Sequence, residues 1–146
     1  MKLEVLLKTK LALSLLSLLF ITTLGRTLAQ PHTIKNVTDN KYALVNLLDN
    51  IKSENDGVKR SSLYFVGYYR ITEAEDAVIE QLKKEQNPSN RILIALVLHK
   101  LGSEDGLLEV KKLASNDDNK KVRRMSSHIY NEYLIKNSKG RLALGN

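Results

Sequence analysis

A basic residue returns at the same point of a helical pattern three times, at a spacing of 32: Lys59, Arg91 and Arg123. The alignment extends around each of them, from Val58-Lys59-Arg60 through Asn90-Arg91-Ile92 to Val122-Arg123-Arg124. It also sets Ser62, Ile94 and Ser126 in line, and the small residues Ala95 and Ser127. The upstream segments align at 31, matching Leu48 with Ile79 and Val110, and Ile51 with Leu82 and Leu113. A one-residue difference in the turn inside each pair reconciles the two spacings, giving units of 41–71, 72–102 and 103–135. A unit of two short amphipathic helices cannot bury its apolar face alone, so tandem copies are predicted to stack around one core. The competing arrangement is a plain bundle, whose helices look alike because all amphipathic helices share a period. Equal unit lengths, the basic register and an apolar middle hairpin favour stacking.

Each helix carries its own signals. Asp39 or Asn40 is placed to cap a helix bearing Leu44, Val45, Leu47, Leu48 and Ile51. Ser53-Glu54-Asn55-Asp56-Gly57 interrupts it, and Val58, Ser62, Phe65, Val66 and Tyr69 mark one face of the next. Thr72, with Glu75 three residues on, reads as a capping box for a third helix carrying Ala77, Val78, Ile79 and Leu82. Asn87-Pro88 restarts the chain, since Pro at the first helical position loses no hydrogen bond. The run 91–101 is apolar on almost every side, so Leu93 and Leu96 are expected to be buried, and Gly102 ends it. Ser103 caps a fifth helix with Leu107, Leu108, Val110 and Leu113. A sixth runs from about Lys120 to Ile135, before a flexible tail over 137–146. No segment alternates with a period of two for long. The expected class is all-α.

The stretch before the first unit differs in kind. Residues 1–10 carry Lys2, Lys8 and Lys10 against Glu4, residues 11–25 are apolar, and Thr27-Leu28-Ala29 precedes a cut at Gln30. That order is a cleavable signal peptide over 1–29. A retained anchor needs about 20 apolar residues, and Arg26 closes the run early. Polar residues 30–40, with Pro31, are expected to form a linker. Cleavage removes four of 23 basic and one of 16 acidic residues, leaving 19 against 15, or +4 in place of +7. The lower charge and the export signal both argue against a nucleic-acid partner. They imply a periplasmic or secreted protein with no membrane attachment after cleavage. The chain has no cysteine. That excludes disulfides, a lipid anchor on a cysteine, a thiol nucleophile and a thiolate metal site.

Asp118-Asn119-Lys120-Lys121-Val122-Arg123-Arg124-Met125-Ser126-Ser127 resembles the turn and second-helix start of a HEAT repeat, and Asn55-Asp56-Gly57-Val58-Lys59-Arg60-Ser61-Ser62 is a weaker copy. The middle unit departs from the pattern, with Asn90 in place of Val and no Asp in its turn. The resemblance spans 41–135. It implies a short α-solenoid of three stacked hairpins and a role in holding other proteins on a helical surface. Some HEAT-like families are lyases acting on protein-linked chromophores. That chemistry requires a pocket, a partner thiol and a setting that is not usually exported. A structural subunit of a larger extracytoplasmic assembly is a third possibility.

Candidates for chemistry are few. His32, His99 and His128 have no partner at metal-ligand spacing. Glu73, Glu75, Asp76, Glu104 and Asp105 sit where first-turn acids favour the helix dipole. No catalytic, cofactor-binding or metal residue is therefore expected. Lys59, Arg91 and Arg123 would line one edge of a stack, either paired to turn aspartates of the next unit or open as a strip for an acidic partner. Tyr69, Tyr130 and Tyr133 fall on apolar faces and are expected in the core, whereas Tyr64 and Tyr68 fall off that face. The candidate protein-binding residues are thus Arg60, Tyr64, Tyr68, Arg91, Arg123 and Arg124, and the expected partner is another protein, acidic in character. Asn36-Val37-Thr38 also matches a glycosylation sequon, meaningful in a eukaryotic source.

Overall fold

The computed structural model describes residues 33–144, with side chains to Ser138. The expected signal peptide, the opening of the linker and His32 lie outside the described residues. Six helices follow: α1 (Ala43–Ile51), α2 (Asp56–Tyr69), α3 (Glu75–Lys84), α4 (Pro88–Leu101), α5 (Glu104–Asn116) and α6 (Lys120–Leu144). The described chain is all-α. Short 3-10 turns at Ile34–Asn36 and Thr72–Ala74 complete it.

Helices pack in pairs, α1 with α2, α3 with α4 and α5 with α6. Each second helix also packs on the next, α2 on α4 and α4 on α6, while α1 meets α3 and α3 meets α5. One continuous apolar cluster runs through all of them, with Ile51, Leu63, Ile94, Leu98 and Val110 fully buried.

The second helices begin alike because the same side chain starts each. Asn55 accepts from the backbone N–H of Gly57 and Val58, Asn87 from Ser89, and Asn119 from Lys121 and Val122. These three asparagines stand 32 residues apart, each taking up donors that a helix start leaves unpaired. At the far end of α4, Gly102 is left-handed (φ 76°). The N–H of Ser103 reaches Leu98 O and that of Gly102 reaches His99 O, a Schellman closure. Ser103 then caps α5 through Gly106 N and donates its hydroxyl to Glu75 Oε1 at 2.7 Å. Gly106 is required there: a Cβ would stand 2.5 Å from Ser103 Oγ and 2.6 Å from Leu98 Cδ2.

Several expectations are corrected. Ile34, from the supposed linker, is buried in the core, and its N–H donates to the Glu73 carboxylate. Thr72 forms no capping box: it opens a 3-10 turn, and the Glu75 carboxylate is engaged by Ser103. Asn40 does not cap α1 directly but binds Tyr42 N, one step before the helix. α6 continues to Leu144, past Ile135 and through most of the supposed tail. No proline interrupts that stretch, and Gly140 costs a helix only about 1 kcal/mol. Leu96 is not buried. It is 40% exposed and Leu93 half-buried, because neighbouring helices leave one side of α4 uncovered.

Candidate protein-binding face

The turn inside each unit is tied by charge to the second helix of the unit before it. Arg91 is 8% exposed. Its Nη1 donates to the carbonyls of Glu85 and Gln86 in the turn before its own helix, at 3.3 and 2.9 Å. Its Nη2 donates to Asp117 Oδ1 at 2.9 Å and Asp118 Oδ1 at 2.8 Å, in the turn of the next unit. Nε lies 2.8 Å from Asp117 Oδ2 as an ion-pair contact. One unit earlier, Lys59 Nζ meets Glu85 Oε2 at 3.1 Å, both groups nearly buried. The two pairs occupy one register, since Lys59 and Arg91, and Glu85 and Asp117, are each 32 apart. Glu85 also accepts from Asn87 N, as Asp117 does from Asn119 N.

Asn90, the departure from the HEAT-like pattern, is fully buried and works across α2 and α4. Its amide donates to Asp56 Oδ1 at 2.6 Å and accepts from Arg60 Nη1 at 2.7 Å. A buried amide with both its groups paired avoids most of the cost of desolvation.

The six candidate binding residues therefore separate. Arg91 is a buried linkage and leaves the set: a guanidinium bonded to two carbonyls and two carboxylates has no free edge to offer. Arg123 is half-buried, its Nη1 on the carbonyls of Asp117 and Asp118. Arg60 is exposed though engaged by Asn90, and Arg124 is exposed. Tyr64 and Tyr68 are 66% and 68% exposed, their rings 6.1 Å apart and nearly parallel. Tyr69 is exposed as well, held edge-on by Tyr68 at 4.9 Å, rather than in the core as expected. Tyr130 and Tyr133 do pack partly against the core.

Three exposed residues share the registers of Tyr64 and Tyr68 on the other second helices. Leu96 and His128 stand at the register of Tyr64 on α4 and α6, and Lys100 at that of Tyr68. All three second helices are packed side by side. Leu96, Lys100, Arg124 and His128 are exposed, as the tyrosines are. The available signal was the same spacing of 32 that aligned the basic residues. The result is a band of apolar and aromatic surface edged by cations.

Among the described residues no group of three or more His, Asp or Glu stands close enough to hold a metal ion, and no helix is long and apolar enough to cross a membrane. Compared with family models, with curated proteins and with solved structures, the chain matches none of them.

The linkages make stability depend on pH in one direction. For Glu85, burial alone would raise the carboxyl, but Asn87 N–H, the Gln81 amide and Lys59 together hold it below its ordinary 4.5. Asp117 is likewise raised by burial and brought below its ordinary 3.8 by Asn119 N–H and Arg91. Burial lowers His99 from 6.5, with Glu132 opposing and Lys136 and Lys100 adding to the shift. All three folded values are depressed, so on acidification the unfolded chain takes up protons first and stability falls. The urea midpoint should decline below pH 6.5 through His99, then fall further below about pH 4 through the two carboxylates. His99→Gln should flatten the upper part only. A midpoint that rises between pH 7 and pH 5 would reverse the sign assigned to His99.

Proposed function

We propose that this chain is an exported, non-enzymatic protein-binding module, built as a short HEAT-like α-solenoid of three hairpins and acting in the periplasm or outside the cell. One observation carries the binding role: Tyr64 and Leu96 are exposed at one register of neighbouring helices and Tyr68 and Lys100 at the next, with Arg60 exposed on α2 and Arg124 on α6. Isolated exposed apolar side chains are ordinary, but a contiguous band edged by polar groups marks an interaction surface. Tyrosine suits the task because a large contact area is gained with few rotors frozen. The solenoid form is supported by the pairwise order of helix packing and by the equivalent turn linkages at Lys59 and Arg91. A binding rather than catalytic role is supported by the use of the buried ionisable groups, Glu85, Arg91 and Asp117, which neutralise one another across turns. Export is supported by the tripartite pattern of residues 1–29. Cations along the band suit an acidic partner.

The test is Tyr64→Ala with Tyr68→Ala, measured against the partner that co-purifies with the native protein. Affinity should fall by about 30-fold or more, the equivalent of one interface hot spot. The melting temperature should stay within about 3 °C of wild type, since both rings are mainly in solvent. Unchanged affinity in a folded double variant would remove this face from the binding reaction.

A further inference from the structure

Each unit's basic side chain meets the acidic turn of the next, Lys59 on Glu85 and Arg91 on Asp117, and the third unit presents the Arg123 guanidinium alone. In Arg91 one nitrogen, Nη1, is fixed on carbonyls of the preceding turn, which leaves the Nε and Nη2 edge for Asp117 and Asp118. Arg123 repeats the first half of this arrangement. Its Nη1 donates to Asp117 O at 2.6 Å and Asp118 O at 3.1 Å, the same two positions relative to its own helix. Among the described residues no carboxylate meets the other edge. An open hollow of about 710 Å³ is lined by Arg123 together with Ala114, Lys120, Lys121, Arg124 and Ser127. A guanidinium anchored at one nitrogen holds its remaining fork at a set angle, and that fork matches a carboxylate.

We propose that this end of α6 binds the acidic turn of a helical hairpin in a partner protein. The turn would bring two consecutive carboxylates just ahead of a helix start, seated on Arg123 as Asp117 and Asp118 are seated on Arg91. Lys120, Lys121 and Arg124 surround the fork with positive charge, which steers an acidic segment towards it. A second copy of this chain is a poorer match. Its first turn offers Ser53 and Glu54 at the registers of Asp117 and Asp118, one carboxylate in place of two, and the exposed Val58 lies close behind. The inference rests on the geometry of Arg91 and not on the tyrosine band, so either can fail without the other.

The probe is a capped synthetic peptide of residues 114–120, the acidic turn whose Asp117 and Asp118 already satisfy one such guanidinium. It is titrated into the isotope-labelled chain while the Nε–H resonance of Arg123 is followed. A saturable shift at Arg123 is expected, with affinity at least about tenfold weaker for a peptide carrying D117N and D118N. Arg123→Lys in the chain should weaken binding comparably, because an ammonium keeps the charge and loses the fork. Its melting temperature reports whether that variant remains folded. Equal affinity for the acidic and amidated peptides overturns the proposal, as does an Arg123 resonance unmoved at millimolar peptide. A shift that follows protein concentration with no peptide present overturns it too, making a second copy the occupant.

Discussion

Replacing Arg91 with Met should cost about 3–5 kcal/mol in a urea titration at neutral pH, the range seen when one member of a buried ion pair is removed. The side chain of Asp117 is only 3% exposed and that of Arg91 10%, so water cannot take over the pairing. Deleting the guanidinium strands the Asp117 carboxylate and frees the carbonyls of Glu85 and Gln86. A domain of this size has about 5–15 kcal/mol in all, so the variant should stand near its unfolding threshold at 37 °C. Adding Asp117→Asn should recover part of the loss, because an amide is cheaper to bury than an unpaired charge. The exposed pair Lys52–Glu80, 3.6 Å apart with both side chains more than half in solvent, supplies the contrast. Lys52→Met should cost less than about 1 kcal/mol. An Arg91→Met penalty as small as that would mean the turn linkage is not part of what holds the units together.

Leu98→Ala should cost about 2–5 kcal/mol and Leu96→Ala about 1 kcal/mol or less, although the two leucines share a helix and lie two positions apart. Leu98 is fully buried and touches the site of the missing Gly106 side chain, so truncation there opens a cavity between α4 and α5. Leu96 keeps 40% of its surface in water, and its removal leaves a dent that solvent fills. Chemical denaturation of both variants at constant slope measures the difference. Equal penalties would place Leu96 in the core, and the exposed band would lose its centre.

Those two leucines also show where the sequence ran out. The run around them is apolar on nearly every side, so its period identifies a helix without saying which side lies uncovered. That side is set by neighbours, and only the register shared with Tyr64 and His128 points to it. Local signals fared better: Asn87-Pro88, Gly102 and Ser103 behave as read, because caps involve atoms within a few residues. Thr72 failed for the opposite reason, since Ile71 is drawn into the core and Glu75 is engaged by Ser103 from the next unit. The fate of Arg91 was legible as one of two alternatives. Choosing between them needed the placement of Asp117, 26 residues further on. Asn90 breaks the pattern in sequence, and the reason for it is not local, because its partners Asp56 and Arg60 lie on another helix.

The proposal that the outer face of the second helices holds another protein is most directly tested by site-specific photo-crosslinking in the living source cell. A photo-reactive residue at position 96 should trap a defined partner, and one at position 64 should trap the same partner. At position 112, an exposed lysine on α5, it should trap none. Equal capture from position 112, or no adduct from position 96 in a folded and correctly located chain, would contradict the assignment.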